Sequence, residues 1–159
     1  IKTKTGTIKF INDSAATNPS ATLAALNSFQ EPLILIAGGQ NKNLNYSSLG
    51  QAIATRPQVK RLVLLSHPAY DASRKILTAV KKYGGAGKVT LALSMEEAVK
   101  KTWTFMQSQI MNCKNLHPTP YTLHPIILLS PASASFGMFQ NEFDRGKKFV
   151  QAVKRLKIK

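Results

Sequence analysis

Four stretches of this chain are apolar without interruption: Leu33-Ile34-Leu35-Ile36-Ala37, Leu62-Val63-Leu64-Leu65, Val89-Thr90-Leu91-Ala92 and Ile126-Ile127-Leu128-Leu129. A strand with one wet face alternates apolar and polar residues. A short continuous block instead implies a strand covered on both faces, as in a parallel sheet with helices on either side. A fifth block carries the β-branched residues Thr7, Ile8 and Ile11 with Phe10, and stops abruptly at Asn12 and Asp13.

Helix-length segments separate the blocks. Residues 20–29 keep Leu23, Leu26 and Phe29 near one face, in a run that opens at Pro19. Residues 71–83 offer Asp71 as an N-cap, place Ile76, Leu77 and Val80 at helical spacing, and end at Gly84-Gly85. Residues 94–111 open on Ser94-Met95-Glu96-Glu97, a capping box. The last helix is expected over residues 141–156 with Phe143, Phe149, Val150 and Val153 as its buried stripe. Strands alternating with helices imply βαβ units and right-handed crossovers. The fold class is therefore α/β: a doubly wound, Rossmann-like three-layer open sheet, mostly parallel, with helices on both faces. Residues 112–125 form the one irregular insertion, with three prolines and two His-Pro pairs, and are expected to be a surface loop.

With 159 residues and 43% apolar composition, a single domain over residues 1–159 is expected, large enough to bury a core without staples. No apolar run approaches the length of a membrane span, and no charged-then-apolar leader precedes the first strand. The sole cysteine, Cys113, leaves no internal disulfide and has no context for a nucleophile. A cytoplasmic monomer without a membrane partner is the expectation. The net charge of +15 would attract nucleic acid, anionic lipid or nucleotide phosphates. The basic pairs fall where helices should face water, however, and no aromatic-basic interleaving is present. A solvated basic surface is the favoured reading and nucleic acid is not expected as a partner.

Three polar elbows follow strands. Residues 12–18 concentrate Asp13, Ser14, Thr17 and free backbone N–H groups. Residues 37–42 carry paired glycines, which let backbone approach a ligand closely, and Lys42, a flexible point cation suited to a carboxylate or phosphate. Residues 130–136 hold Ser130, Ser133 and Ser135 ahead of Phe136 and a helix; Ser133 and Ser135 also suit the caps of that helix. In an open α/β sheet, ligands bind outside the carboxyl ends of the strands. If the three strands are neighbours, the elbows converge on one edge, where a lysine, hydroxyls and helix N-terminal N–H groups would surround an anion.

Other chemistries find no support. Neither Gly-x-Gly-x-x-Gly nor a P-loop is present, so the chain by itself cannot cradle ATP phosphates in the P-loop manner. His67, His117 and His124 each precede proline and lack metal-ligand spacing, so turns are their expected role. Ser130-Pro131 is not a hydrolase elbow.

The elbows Asn12-Asp13-Ser14-x-Ala16-Thr17-Asn18, Gly38-Gly39-x-x-Lys42 and Leu128-Leu129-Ser130-Pro131-Ala132-Ser133-Ala134-Ser135-Phe136, followed by Arg145-Gly146-x-x-Phe149, resemble the C-terminal domain of the Mur ligases. The branch resembled adds D-glutamate to UDP-N-acetylmuramoyl-L-alanine. The resemblance covers essentially the whole chain. It implies an ATP-dependent, amide-bond-forming ligase of peptidoglycan synthesis, with an N-terminal UDP-binding domain and a central ATPase domain absent here. ATP and Mg2+ would be held mainly by that central domain, so the chain is not expected to be active alone. By similarity, Asp13 would face the nucleotide ribose, while Thr17, Lys42, Ser135 and the Phe136 backbone would hold the carboxylates of D-glutamate. No catalytic residue is assigned to this domain. Two positions depart from the family's pattern: Ala15 replaces a usual lysine and Gly137 a common aspartate. A Mur-type ligase for another amino acid, and a non-catalytic basic module for a polyanion, are the alternatives.

Overall fold

Three of the four apolar blocks form the middle of one sheet; the fourth, Val89–Ala92, is its edge strand and leaves Leu91 48% exposed, against the expectation of cover on both faces. The structure, a computed structural model, describes residues 1–3, 6–68, 71–113 and 124–156. Two short strands, β1 (Lys2–Thr3) and β2 (Gly6–Thr7), pair antiparallel at the start of the chain and were not anticipated. The main sheet contains β3 (Lys9–Asn12), β4 (Leu33–Ala37), β5 (Val59–Leu65), β6 (Val89–Ala92) and β7 (Ile126–Leu129), in the spatial order β3-β7-β4-β5-β6. Every neighbouring pair in it is parallel.

Side chains of β7 alternate between two cores, which explains why its sequence does not alternate in polarity. Ile127 and Leu129 enter the core beneath α4 (Met95–Cys113) and α5 (Glu142–Lys154). Ile126 and Leu128 enter the other core, with residues of α1 (Pro19–Asn27), α2 (Ser47–Thr55) and α3 (Asp71–Lys82). The same partition holds in β4, with Ile34 and Ile36 on one side and Leu33 and Leu35 on the other. In β5 the register against β4 slips by one residue at Lys60, so Val59 and Leu62 share a face. The α4–α5 core is sealed on its β3 side by Phe10, which stacks on Trp103 at 6.3 Å between ring centroids and lies 6.4 Å from Phe149.

The connections run β3–α1–β4, β4–α2–β5 and β5–α3–β6 toward one edge. The chain then returns through α4, and β7 enters between β3 and β4. Beyond its carboxyl end the chain passes to α5 on one face, while β3 and β4 feed helices on the other. That is a topological switch point, where an open α/β sheet leaves a crevice.

Several local expectations are corrected. Helix α2 had no sequence signal: its first turn has no acid, its N-cap Tyr46 makes no side-chain cap bond, and Gly50 sits inside it. Gly50 is nonetheless required, because a Cβ there would lie 2.4 Å from the Ala79 Cβ of α3. In α5 the expected stripe is only half right. Phe149 is buried and Val153 packs partly against the core, but Phe143 is 79% exposed and Val150 is 39% exposed. Helix α5 is capped by Asn141, whose Oδ1 accepts from the Asp144 N–H at 2.9 Å, so Ser133 and Ser135 are not its caps. Asp71 is the first residue of α3 rather than an N-cap. Ser94 does cap α4, accepting from the Glu97 N–H at 3.1 Å, while Glu97 reaches back one residue further than expected, to the Leu93 N–H. Of the expected loop at 112–125, Asn112 and Cys113 end α4, and residues 114–123, with His117, lie outside the described residues.

Leu128 is fully buried at the sheet centre, so Leu128→Ala is expected to cost about 2–5 kcal/mol in chemical denaturation. Phe143→Ala should change stability by no more than about 0.5 kcal/mol, as suits an exposed ring. A large loss on Phe143→Ala would restore the buried stripe.

Candidate functional site

The three elbows meet. Because β3, β7 and β4 are adjacent, their last residues stand side by side: Asn12 and Ile36 both register with Leu129. Backbone bonds then continue past the strands. The Asp13 N–H donates to the Leu129 carbonyl at 2.8 Å, the Ser130 N–H to Ile36 at 3.1 Å and the Gly38 N–H to Pro131 at 2.9 Å. Gln40 and Ala134 form an isolated antiparallel bridge that binds the second elbow to the third.

The paired glycines serve this junction rather than an open space. Gly38 has φ +112°, and a Cβ on it would lie 2.3 Å from the Ser73 Oγ of α3. A Cβ on Gly39 would fall 2.1 Å from the Ala134 carbonyl oxygen. What approaches these glycines closely is protein. Ala132, held at φ +61° and fully buried, carries the strain of the third elbow. A non-glycine residue enters that region at about 1–2 kcal/mol.

Side chains lock the first elbow to the third. The Ser130 hydroxyl donates to the Asp13 Oδ2 at 2.8 Å, and the Thr22 hydroxyl of α1 donates to the Ser130 carbonyl at 3.2 Å. The decisive residue is Arg145, in the first turn of α5 and fully buried. Its Nε donates to the Ser14 Oγ at 3.0 Å, its Nη2 to the Ser14 carbonyl at 2.8 Å and its Nη1 to the Ser133 carbonyl at 3.0 Å. Ser14 in turn donates to the Glu142 carbonyl at 2.7 Å. Arg145 appeared in the sequence only as part of a motif, with no role. The signal was there in retrospect: an arginine in a helix first turn works against the macrodipole, so something other than the helix must want it there.

The candidate residues are distributed as follows. Asp13 and Thr17 are half-buried in the first elbow, Asp13 with one carboxylate oxygen held by Ser130. Lys42 is exposed at the end of the second elbow, and among the described residues no carboxylate forms an ion pair with it. Ser135 is buried in the third elbow, next to Phe136, whose ring is half exposed. Ala15 is exposed on the wall of a cleft of about 510 Å3, which Asn12 and Ser14 share with Phe143, Lys147 and Val150 of α5. Thus the two side chains that α5 fails to bury border the first elbow. Gly137 has φ +103°, a conformation that an aspartate adopts only with strain. Among the described residues no three His, Cys, Asp or Glu side chains gather as a metal site, and no helix is long and apolar enough to cross a membrane.

One carboxylate steadies the second elbow. Asp71 Oδ1 accepts from the Asn41 N–H at 3.0 Å, and this bond, aided by Lys75, holds the Asp71 carboxyl below its ordinary value. A group depressed in the folded state stabilises above its unfolded pKa, and loses that contribution as the pH falls through the folded value.

Comparison with known proteins bears on the family and the fold. The family profile described as "Mur ligase, glutamate ligase domain" matches residues 1–111. The UDP-N-acetylmuramoylalanine--D-glutamate ligase of Acetivibrio thermocellus is 36% identical over 148 residues, covering 92% of this chain and 28% of that protein. The protein of the same name from Clostridium botulinum is 37% identical over 153 residues, covering 94% and 29%. Among solved structures, Mycobacterium tuberculosis folylpolyglutamate synthase complexed with ADP shares the fold, with a TM-score of 0.55 at 11% identity over 90% of this chain and 29% of that one. The chain therefore spans less than a third of the length of the relatives it matches.

Two outcomes follow. Arg145→Ala leaves buried carbonyls without donors and should cost about 3 kcal/mol or more in denaturant unfolding, and Arg145→Lys, lacking the fork, should restore little of it. The stability gap between wild type and Asp71→Ala should be full at neutral pH and close as the pH falls below the ordinary carboxylate range. A pH-independent gap would show that the charge of Asp71 is not what holds Asn41.

Proposed function

The chain belongs to the Mur ligase family, and from that premise we propose that it is the amino-acid-accepting domain of an ATP-dependent ligase joining D-glutamate to UDP-N-acetylmuramoyl-L-alanine in peptidoglycan synthesis. Its relatives, which bear the name UDP-N-acetylmuramoylalanine--D-glutamate ligase, support the substrate pair. In this reading residues 1–159 are one domain of a longer, cytoplasmic and monomeric enzyme, whose UDP-binding and ATPase domains lie in the remaining two-thirds or more of the relatives' length.

The observation that carries the proposal is the exposed, carboxylate-free Lys42 at the same switch-point edge as the hydroxyl-bearing elbows. A dicarboxylate acceptor needs a cation and several donors. Charge-assisted bonds of this kind are roughly twice as strong as neutral ones. Lys42 supplies the cation, Thr17 a hydroxyl donor, and Ser135 with the Phe136 N–H the third-elbow contacts. Binding at both ends fixes the amine of the acceptor for attack on an activated carboxyl group, which is where positioning lowers a barrier. The half-exposed Phe136 ring would exclude water from one side.

ATP with Mg2+ supplies the phosphoryl group that activates the muramoyl-alanine carboxylate. The chain's own contribution there is Asp13, whose carboxylate, oriented by Ser130, suits the hydroxyls of a ribose. In this reading ATP and Mg2+ are held mainly by the central domain of the longer enzyme. A second reading, a Mur-type ligase for a different amino acid, is favoured by Ala15, which leaves the first-elbow wall of the site without a cation of its own.

In the full-length enzyme, Lys42→Ala is expected to raise KM for D-glutamate at least about tenfold, roughly 1.4 kcal/mol, with a smaller effect on KM for ATP. An unchanged KM for D-glutamate would remove Lys42 from the site.

A further inference from the structure

Lys42 is the cation on which the proposed function turns, and its stem is long and flexible. It is exposed, and among the described residues no carboxylate pairs with its ammonium group. Where that charge falls therefore depends on where the backbone holds the Lys42 Cα. The backbone is tied on both sides of it. Just before, Gln40 exchanges two backbone bonds with Ala134 of the third elbow, at 3.0 and 3.2 Å. At the next residue the tie passes to α3, where the Asp71 Oδ1 accepts from the Asn41 N–H at 3.0 Å. Just beyond Lys42, the Leu44 N–H closes a turn on the Asn41 Oδ1 at 3.2 Å, with Asn43 at φ +56°. Asparagine is one of the few residues that enter that region readily.

Asp71 is itself well anchored. It begins α3, and the next residue, Ala72, is fully buried. Ser73, 5% exposed, donates to the Leu65 carbonyl at the end of β5 at 2.6 Å. The same hydroxyl fills the space beside Gly38, at the start of the second elbow. The first turn of α3 is thus fixed to the sheet, and from it Asp71 reaches the far end of that elbow. The choice of partner has a consequence for binding. A carboxylate paired with Lys42 would compete with an acidic ligand for the ammonium group. Asp71 accepts instead from the neighbouring N–H, which fixes the base of the lysine and leaves its charge open to a ligand.

We propose that Asp71 is a positioning residue for Lys42: its carboxylate, set by the first turn of α3, holds the second elbow so that the ammonium group meets a carboxylate of the acceptor. This role rests on the reading of Lys42 as a D-glutamate contact. Asp71 touches no reacting atom and acts through the Asn41 N–H.

The test is steady-state kinetics of the full-length enzyme carrying Asp71→Ala, Asp71→Asn, Lys42→Ala and the double variant Asp71→Ala/Lys42→Ala. Asp71→Ala is expected to raise KM for D-glutamate at least about fivefold, with kcat and KM for ATP changed less than about twofold. Asp71→Asn keeps an oxygen that can accept from Asn41, and should bring KM back to within about twofold of wild type. In the Lys42→Ala background, Asp71→Ala should add less than about twofold, because no cation is left to position. Circular dichroism checks that each variant is folded. If Asp71→Ala unfolds, Asp71→Ser replaces it, since the hydroxyl keeps a polar helix start but falls one bond short of Asn41. The outcomes separate the two readings. An unchanged KM for D-glutamate in Lys42→Ala removes Lys42 from the site, and its positioning by Asp71 falls with it. Where Lys42→Ala does raise KM, the positioning role alone is overturned by any of three results: a silent Asp71→Ala, no rescue by Asp71→Asn, or losses that multiply in the double variant.

Discussion

The buried guanidinium of Arg145 is the contact on which the site's geometry depends. From α5 it donates to a hydroxyl and a carbonyl of the first elbow and to a carbonyl of the third. Elbows at the ends of parallel strands carry carbonyls that must find donors in a dry place, and the Ser130–Asp13 bond adds only one side-chain tie between the first and third. A planar fork with five N–H groups meets that requirement in a single residue, and in fixed directions. The cost is a desolvated charge, which this fold accepts at the point where three strands end.

That point was foreshadowed by the distribution of apolar residues. Where a strand is covered on both faces, every position along it is apolar, so β4, β5 and β7 were visible as blocks. The elbows were visible as the places where the blocks stop. The spatial order of the strands was not visible, because nothing in Ile126 to Leu129 says that it inserts between β3 and β4 instead of extending the sheet. Pairing distant in the chain decides it: Ile126 registers with both Lys9 of β3 and Leu33 of β4.

The features that went unread share a cause. Helix α2 has poor local credentials and exists because Gly50 fits against Ala79 and its apolar face fills the core. In α5 the spacing of Phe143, Phe149, Val150 and Val153 could not distinguish a buried stripe from one that is buried at one edge and borders a cleft at the other. Gly38 and Gly39 invited a ligand-centred explanation, whereas their Cβ positions are filled by Ser73 and by the backbone of Ala134. In each case partners distant in sequence, not propensity, settle the conformation.

The acids give the sharpest argument for where function sits. Only seven are present against 22 lysines and arginines, so each has many cations competing for it. Asp71, Glu96, Glu97, Glu142 and Asp144 occupy the first turns of α3, α4 and α5, where the helix dipole favours negative charge. Glu31 meets Lys9 at 3.8 Å on the surface. Asp13 starts no helix, and among the described residues it forms no ion pair. It stands at the carboxyl end of β3, half-buried, with one oxygen oriented by the Ser130 hydroxyl. Under the proposed function, a carboxylate that pairs with no described lysine and is fixed in direction would be free to accept from hydroxyl or amine hydrogens arriving from outside the domain, such as those of a nucleotide ribose.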